Sequence, residues 1–459
     1  MLLICRARCP IGNAVILPFA CLCPNASLSV LVLLGWTRRP GRSTRNGASV
    51  NRRAAHEAWS AGSVSRNHLR FALATSIVVM SALLKWSADL RTQWTDLAVY
   101  LGGGHSLLTG TPLYAIEPGH LPFTYSPFAA LIFVPLFLLS LAWAKVLVSV
   151  GSVACFGVII FVTTRKLDLS WPKTALLAVG GLSLEPVVMT LLQGQINLFL
   201  MMLVLVDCLI LGDRSRGLLV GLAAGIKIIP GAFVLYFLLK RDWSAVVRAL
   251  IAWALSVAVG FLVAPADSMS YWGGGFVNLG KFGLEALSRG DNQSLRGVVL
   301  RSFGGLDYGS PAVLLVSGLV MVLGVEAARR QLRAGDDLAA LSCIGLAALL
   351  ASPVSWTHHW VWIVIPIAVL ISRAQWVRVW LVGAVFLVGP MWLVPMGNLQ
   401  ERHHTLPQAV AAAAYVLLGL LLLIDFIFNT SPARGSVPES SRPMAHSGIG
   451  ETRGTAEQP

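Results

Sequence analysis

Charge is what this sequence has least of. Asp, Glu, Lys and Arg make up 12% of its 459 residues, about half of what a soluble domain carries. Too few ionisable side chains remain to cover a water-facing surface. That excludes a cytoplasmic enzyme, a disordered chain and a DNA-binding domain. Acids are the scarcer sign, 21 against 35 Lys and Arg. There is no GxxxxGK[ST] phosphate loop, so no ATP-driven pump is implied, and no HExxH zinc-protease motif. The seven cysteines are Cys5, Cys9, Cys21, Cys23, Cys155, Cys208 and Cys343. No pair has zinc-ligand spacing with histidine partners. They read as small buried hydrophobes, and no disulfide framework is predicted.

What is present is apolar. Hydrophobic residues make up 56% of the chain, the mean hydropathy is +0.72, and these residues fall in blocks of helical length. The fold class is therefore an all-α polytopic membrane protein. Spans are predicted at 71–88, 141–163, 174–192, 196–212, 217–227, 228–239, 245–264, 311–327, 338–352, 358–372, 376–394 and 408–428. A further block, 126–139, is flanked by proline and too short for the ~20 residues of a full crossing.

The net charge of +14 is concentrated at one end. Residues 1–70 hold ten arginines and one acid, Glu57, which gives +9. This region reads as a basic, disordered cytoplasmic tail. The apolar stretch 14–36 inside it, broken by Pro18, Pro24 and Asn25, is not taken as a span, because the basic run follows it instead of preceding it. Residues 71–428 form the membrane domain, and the Ser/Gly/Pro-rich 429–459 a second disordered cytoplasmic tail.

Two topologies fit the short segments. In one, 126–139 is re-entrant and 217–239 is a hairpin that goes out and back. In the other, 126–139 crosses and 217–239 is one span. Loop charge favours the first. It puts Arg165, Lys166, Lys173, Arg214, Arg216, Lys240, Arg241, Arg329, Arg330, Arg333, Arg373 and Arg378 inside, as the positive-inside rule requires. The polar, unusual segments then share the outer side.

Each of those segments has a functional and a bland reading. Asp96 is a scarce acid at a membrane boundary. It can act as a general base toward a hydroxyl or cap a helix. The 122–127 stretch, with Tyr125, is a rigid aromatic turn that could pack on a lipid or sugar, or anchor at the interface. Glu185, inside an apolar span beside Pro186, is a functional candidate by its cost, or a partner for backbone freed by the proline. Asp207 lies near the cytoplasmic end, where the bland reading is stronger. In Gln193-Gly194-Gln195-Ile196-Asn197 the amides can bind sugar hydroxyls or satisfy helix ends. Lys227, between two half-helices, suits a phosphate or snorkels to the interface. Asn292-Gln293-Ser294-Leu295-Arg296 is read as amide and guanidinium contacts to ligand, with a formal glycosylation sequon at Asn292. The most distinctive string is Ser352 to Trp360. Its adjacent His358 and His359 cannot easily share one metal ion, but can bind phosphate or move a proton. Without a soluble domain there is no nucleotide-sugar fold, so any sugar donor is lipid-linked.

Taken in order, these motifs resemble glycosyltransferase family 87, membrane enzymes of the GT-C superfamily. The closest likeness is to the polyprenol-phosphate-mannose-dependent α-1,2-mannosyltransferases that make phosphatidylinositol mannosides and lipoarabinomannan. The resemblance covers roughly 70–428. It is carried by Asp96-Leu97-Ala98-Val99-Tyr100, Leu121 to Pro127, Glu185-Pro186, Gly194 to Asn197, Gly225-Ile226-Lys227 with Pro230, Asn292-Gln293-Ser294 and Ser352 to Trp362. One departure is Ser126, where the pattern usually has proline.

The resemblance implies a bundle of about twelve transmembrane helices with a re-entrant or amphipathic outer segment, in the plasma membrane, with the active site on the extracytoplasmic side. It implies Asp96 as catalytic base. Substrate-binding residues would be Tyr100, Tyr125, Glu185, Gln195, Asn197, Lys227, Asn292, Gln293, Arg296, His358 and His359. The donor would be polyprenyl-phosphate mannose and the acceptor a mannosylated lipid or glycan, with inversion to an α-1,2 linkage. No cofactor, metal or nucleic-acid partner is expected. The prenyl chain would lie in the 126–139 block and an apolar groove beside it. The competing reading is a polytopic lipid or sugar transporter, for which inverted repeats would be expected and are not found.

Overall fold

A computed structural model describes residues 94–115, 121–275, 282–303 and 310–430. The basic region 1–70, the predicted span 71–88 and the tail beyond residue 430 lie outside the described residues. Among those described there is no β-strand, only an isolated bridge between Asn292 and Trp356.

The first described helices are α1 (Thr95–Thr109), α2 (Pro127–Phe137), α3 (Leu141–Lys166), α4 (Trp171–Leu182), α5 (Glu185–Gln193), α6 (Asn197–Leu209) and α7 (Leu218–Ile226). A 3-10 turn, Ile229–Phe233, leads to α8 (Val234–Leu239), α9 (Trp243–Val263) and α10 (Pro265–Ser270). An outer segment carries α11 (Gly283–Ser288) and α12 (Leu295–Phe303). Then come α13 (Pro311–Arg333), α14 (Asp337–Ala351), a 3-10 helix Thr357–Ile363 that continues into α15 (Val364–Ser372), α16 (Trp376–Val388), α17 (Leu406–Ala412) and α18 (Ala414–Phe428).

Local chemistry sets these boundaries. Ser126 caps α2 by accepting from Ala129 N at 3.1 Å, and Pro127 supplies the first helical position, where its missing N–H costs nothing. Asp242 caps α9 and Asp336 caps α14 in the same way.

Among the described residues three helices, α3, α9 and α13, are long and apolar enough to cross a membrane, or five spans if the bent pairs α4–α5 and α17–α18 each count as one. That falls short of the dozen expected from hydropathy. The apolar blocks are there, but polar or Pro/Gly breaks divide them. At 1.5 Å per residue, α6 reaches ~20 Å and α7 ~14 Å, against a hydrocarbon core of ~30 Å.

The 217–239 segment is a hairpin. At its start, Gly217 N and Val220 N donate to Asp207, and Arg216 lies 3.3 Å from Asp242. At its finish, Tyr236 donates to Cys208 O and Asp337, and Lys240 pairs with Asp337. Start and finish thus share one end of the bundle, while Lys227 at the bend meets Asn197 and His359 at the other. The hairpin lies tightly on α9. A Cβ on Gly221 would sit 2.2 Å from Ala249 O, so only glycine permits this approach.

The same end gathers other cytoplasm-assigned cations. Arg373 pairs with Asp336 at 2.9 Å, Arg378 with Asp425 at 2.8 Å, and Lys173 lies over Trp376. Helix α2 starts at the opposite end, where Ser126 donates to Gly225 O at 2.5 Å. It then turns straight into α3 through Leu138–Ser140. At ~16 Å long it is too short to cross a hydrocarbon core of ~30 Å.

Candidate active site

The site is assembled where α1, the α5–α6 turn, the hairpin bend and the 3-10 helix Thr357–Ile363 converge. Helix α5 stops at Gly194, whose φ of 68° is left-handed. A Cβ there would also lie 2.9 Å from Leu97 Cβ. Glycine therefore allows the reversal that lays Gln195 against α1. Gln195 is almost wholly buried. Its Oε1 accepts from Tyr100 OH, from Tyr125 OH at 3.2 Å and from Ile196 N at 3.0 Å. The two tyrosine hydroxyls are 3.2 Å apart.

Asp96 is in the first turn of α1, one turn before Tyr100 on the same face. Trp94 occupies the N-cap position, with no side-chain cap bond, so Asp96 does not serve as the cap. Instead it receives a hydrogen bond from Gln195 and feels the charge of Lys227. Burial pushes its carboxyl up to about 6, against the opposing pull of that charge and that hydrogen bond. A base poised near neutral pH is suited to accepting a proton.

Lys227 owes its place to the break in the hairpin. Helix α7 ends at Ile226, Lys227 is extended (φ −143°, ψ 131°), and Pro230 prevents the helix from resuming at once. Its Nζ donates to Asn197 Oδ1 at 3.0 Å, lies 3.1 Å from His359 Nε2, and sits 5.5 Å from the centre of the Tyr125 ring. An ammonium has only protons to offer, so His359 Nε2 accepts and its proton is on Nδ1. That Nδ1 and His358 Nε2 are buried with no partner among the described residues. The backbone of His358 is held from below: its carbonyl accepts from Asn197 Nδ2 at 2.7 Å and from Thr190 Oγ1 at 3.0 Å.

Two hollows flank this cluster. A small cleft is lined by Lys227, His359, Asn197, Pro230 and Trp362. A larger cavity of about 660 Å³ lies between the hairpin and α9, with Ala224, Ile228, Gly231, Trp253 and Trp272 in its walls. Ile229 lines both. The expected groove beside 126–139 is filled on its α1 side: Tyr100 stacks on Phe133 at 4.3 Å, and Ala129, Ala130 and Phe133 are buried.

The model of glycosyltransferase family 87 matches residues 123–353, half of the chain. A Mycolicibacterium smegmatis protein named polyprenol-phosphate-mannose-dependent alpha-(1-2)-phosphatidylinositol mannoside mannosyltransferase is 33% identical over 400 residues, covering 78% of this chain and 89% of that protein. The chain belongs to glycosyltransferase family 87. A Mycobacterium tuberculosis protein of the same name is 34% identical over 308 residues, 62% of this chain and 71% of its own. A second M. smegmatis protein, named for a phosphatidylinositol pentamannoside, is 35% identical over 306 residues, 64% and 74% respectively. No solved structure matches. Family membership makes the chain a glycosyltransferase and sets the transporter reading aside.

Several residues expected at the site of this family 87 enzyme sit elsewhere. Glu185 begins α5, ~13 Å along the helix from the Gly194 turn. Its carboxylate accepts from Trp392 Nε1 at 2.7 Å and Tyr415 OH at 2.8 Å. It clasps α5 to α18, to the turn after α16 and to Thr357 at the start of the histidine-bearing 3-10 helix, one residue before His358. Asn292 and Gln293 are wholly buried, with their amides spent on backbone. Asn292 donates to Leu287 O and accepts from Ser355 N, and Gln293 donates to Ala412 O and accepts from Tyr415 N. Burial also removes Asn292 as a glycan acceptor. Trp360 Nε1 donates to Gln293 O at 3.2 Å, so this pair clamps the histidine-bearing 3-10 helix to the outer segment. Arg301 joins the clamp, bonding Asn292 O and Ala412 O. Arg296 is buried on α12, its Nε unpartnered, and no contact joins it to Lys227 or the histidines.

Three residues have partners that sequence reading did not assign. Ser126 couples α2 to the hairpin bend, a role signalled only by its N-cap position before proline. Thr190 holds His358. Asp207 caps α7 from ten residues away, where its charge also suits the helix dipole; nothing in the sequence pairs the two.

Proposed function

We propose that this enzyme transfers mannose from a polyprenyl-phosphate-mannose donor to a mannosylated phosphatidylinositol lipid or related glycan. The reaction inverts the donor's β configuration to an α-1,2 linkage, at a site on the extracytoplasmic side of the plasma membrane. The observation that carries this reading is the juxtaposition of Asp96 with Lys227, linked through Gln195, Tyr125 and Asn197. A carboxylate that can take a proton faces a cation that can hold a leaving phosphate. The names of the relatives supply the sugar and lipid classes.

Asp96 takes the proton of the acceptor hydroxyl. The freed oxygen bonds to the anomeric carbon as the bond from that carbon to the phosphate oxygen breaks. The electron pair leaves with the prenyl phosphate. Lys227 balances its charge, and the unpaired ring nitrogens of His358 and His359 are free to meet its oxygens. Gln195 holds Asp96, and the Tyr100–Tyr125 pair holds Gln195. The basic end of the bundle supports a cytoplasmic assignment for that end and an outer one for the site.

The test is transfer by purified protein from polyprenyl-phosphate mannose to a panel of mannosyl acceptors, with linkage analysis. An α-1,2 product that is absent with Asp96→Asn is expected. Transfer by that variant at the wild-type rate would remove Asp96 as the base.

A further inference from the structure

We infer that the cavity between the 217–239 hairpin and α9 seats the first isoprene units of the donor lipid, and that Gly231 in its wall governs their admission. The inference rests on the function proposed above, and it places the chain away from the 126–139 block.

Four observations converge. The cavity and the cleft of Lys227 and His359 share a lining residue, Ile229. A phosphate held by the cation would therefore deliver its ester-linked chain directly into the larger hollow. The lining is apolar and partly aromatic, including Ala224, Ile228, Trp253, Trp272 and Pro353, as a hydrocarbon requires. The walls reach the lipid-facing surface: Leu250 lines the cavity and is 51% exposed, beside Ile251 and Leu255 at 51% and 61%. A chain too long for the cavity can thus run out into the bilayer. Finally, the rival location is occupied on its α1 side, where Phe133 stacks on Tyr100.

The size limits what is recognised. About 660 Å³ is the volume of a pocket for a small ligand, roughly 300–1,000 Å³, and not for a full polyprenyl chain. Only the units next to the phosphate are gripped. Discrimination among donors therefore depends on those units and not on total chain length. Gly231 leaves its stretch of wall bare: a Cβ there would meet only Ala224 Cβ, at 3.5 Å. A larger side chain would project into the space the chain needs.

The test uses the full-length protein in detergent with a short prenyl phosphate carrying a diazirine on its second isoprene unit. After irradiation, labelled peptides are mapped by mass spectrometry, with and without excess unlabelled polyprenyl phosphate. Competable labelling within 221–234, 249–253 or 348–353 is expected. Labelling of 128–137, or labelling that excess polyprenyl phosphate does not reduce, would overturn the inference. In parallel, Gly231→Leu should raise KM for the prenyl donor about tenfold, the effect of displacing one buried aliphatic side chain's worth of contact, with acceptor KM and melting temperature unchanged. An unchanged donor KM would count against it, and if the variant does not fold, the labelling of the wild-type protein decides. Competable labelling in a protein that transfers no sugar would defeat the functional reading alone. Sugar transfer with labelling elsewhere would defeat this inference alone.

Discussion

Burial and the Lys227 charge act on Asp96 in opposite directions, and that opposition can be measured. Burial raises the carboxyl to about 6 while Lys227 pulls it down. The base works only when deprotonated, so kcat/KM should rise as pH increases through about 6. Removing the cation in Lys227→Met should move that limb to higher pH, because the downward pull is gone. The same variant should lose about a hundredfold in kcat, as losing a charge-stabilising group typically does. A limb that stays near 6 in Lys227→Met would show that the two groups do not act on each other. These residues were legible in the sequence for one reason. In a chain with so few ionisable groups, each polar residue in or beside a span is conspicuous. The same signal also picked out Glu185, Asn292 and Gln293, whose polar atoms are bonded to protein groups. Scarcity marks a costly polar group but cannot tell one that meets a ligand from one that meets a backbone carbonyl 119 residues away, as Gln293 does.

Among the elements, the hairpin and the outer-segment clamp matter most. Cation placement was enough to predict the hairpin, since Arg216 and Lys240 needed a common side. The structure supplies its mechanism: Asp207 and Asp337 fix the two ends, and Lys227 sits at the bend. The clamp was not legible, because residues 287, 292, 355 and 412 are joined only by tertiary packing. It holds the 3-10 helix that presents His358 and His359. Asn292→Ala leaves Ser355 N and Leu287 O buried without partners, at a cost of ~1–3 kcal/mol for each group. A lower melting temperature is expected, with donor and acceptor KM of the folded fraction unchanged. A variant that melts like wild type but binds donor poorly would return Asn292 to the ligand site. Hydropathy registers apolar length and not the breaks at Ser183–Leu184, Lys227 and Ala413, where chain direction changes.

Across the whole molecule, the two ends differ in kind. One is bound by ion pairs such as Arg373–Asp336 and Arg378–Asp425, and the other holds the buried network of Asp96, Gln195, Lys227 and His359. Arg214 and Gln400 are exposed at opposite ends. With Cys5, Cys9, Cys21 and Cys23 replaced, a membrane-impermeant maleimide should label Gln400→Cys in intact cells and reach Arg214→Cys only after lysis. The reverse pattern would invert the orientation. The central claim, that Asp96 is the base of a lipid-linked mannosyl transfer, is tested most directly by one assay. Purified wild-type and Asp96→Asn proteins, matched for folding, are given polyprenyl-phosphate mannose and a phosphatidylinositol mannoside, and the α-1,2-linked product is counted. The account predicts product from the wild type and a loss of at least about a hundredfold in the variant. Equal product from both would contradict it.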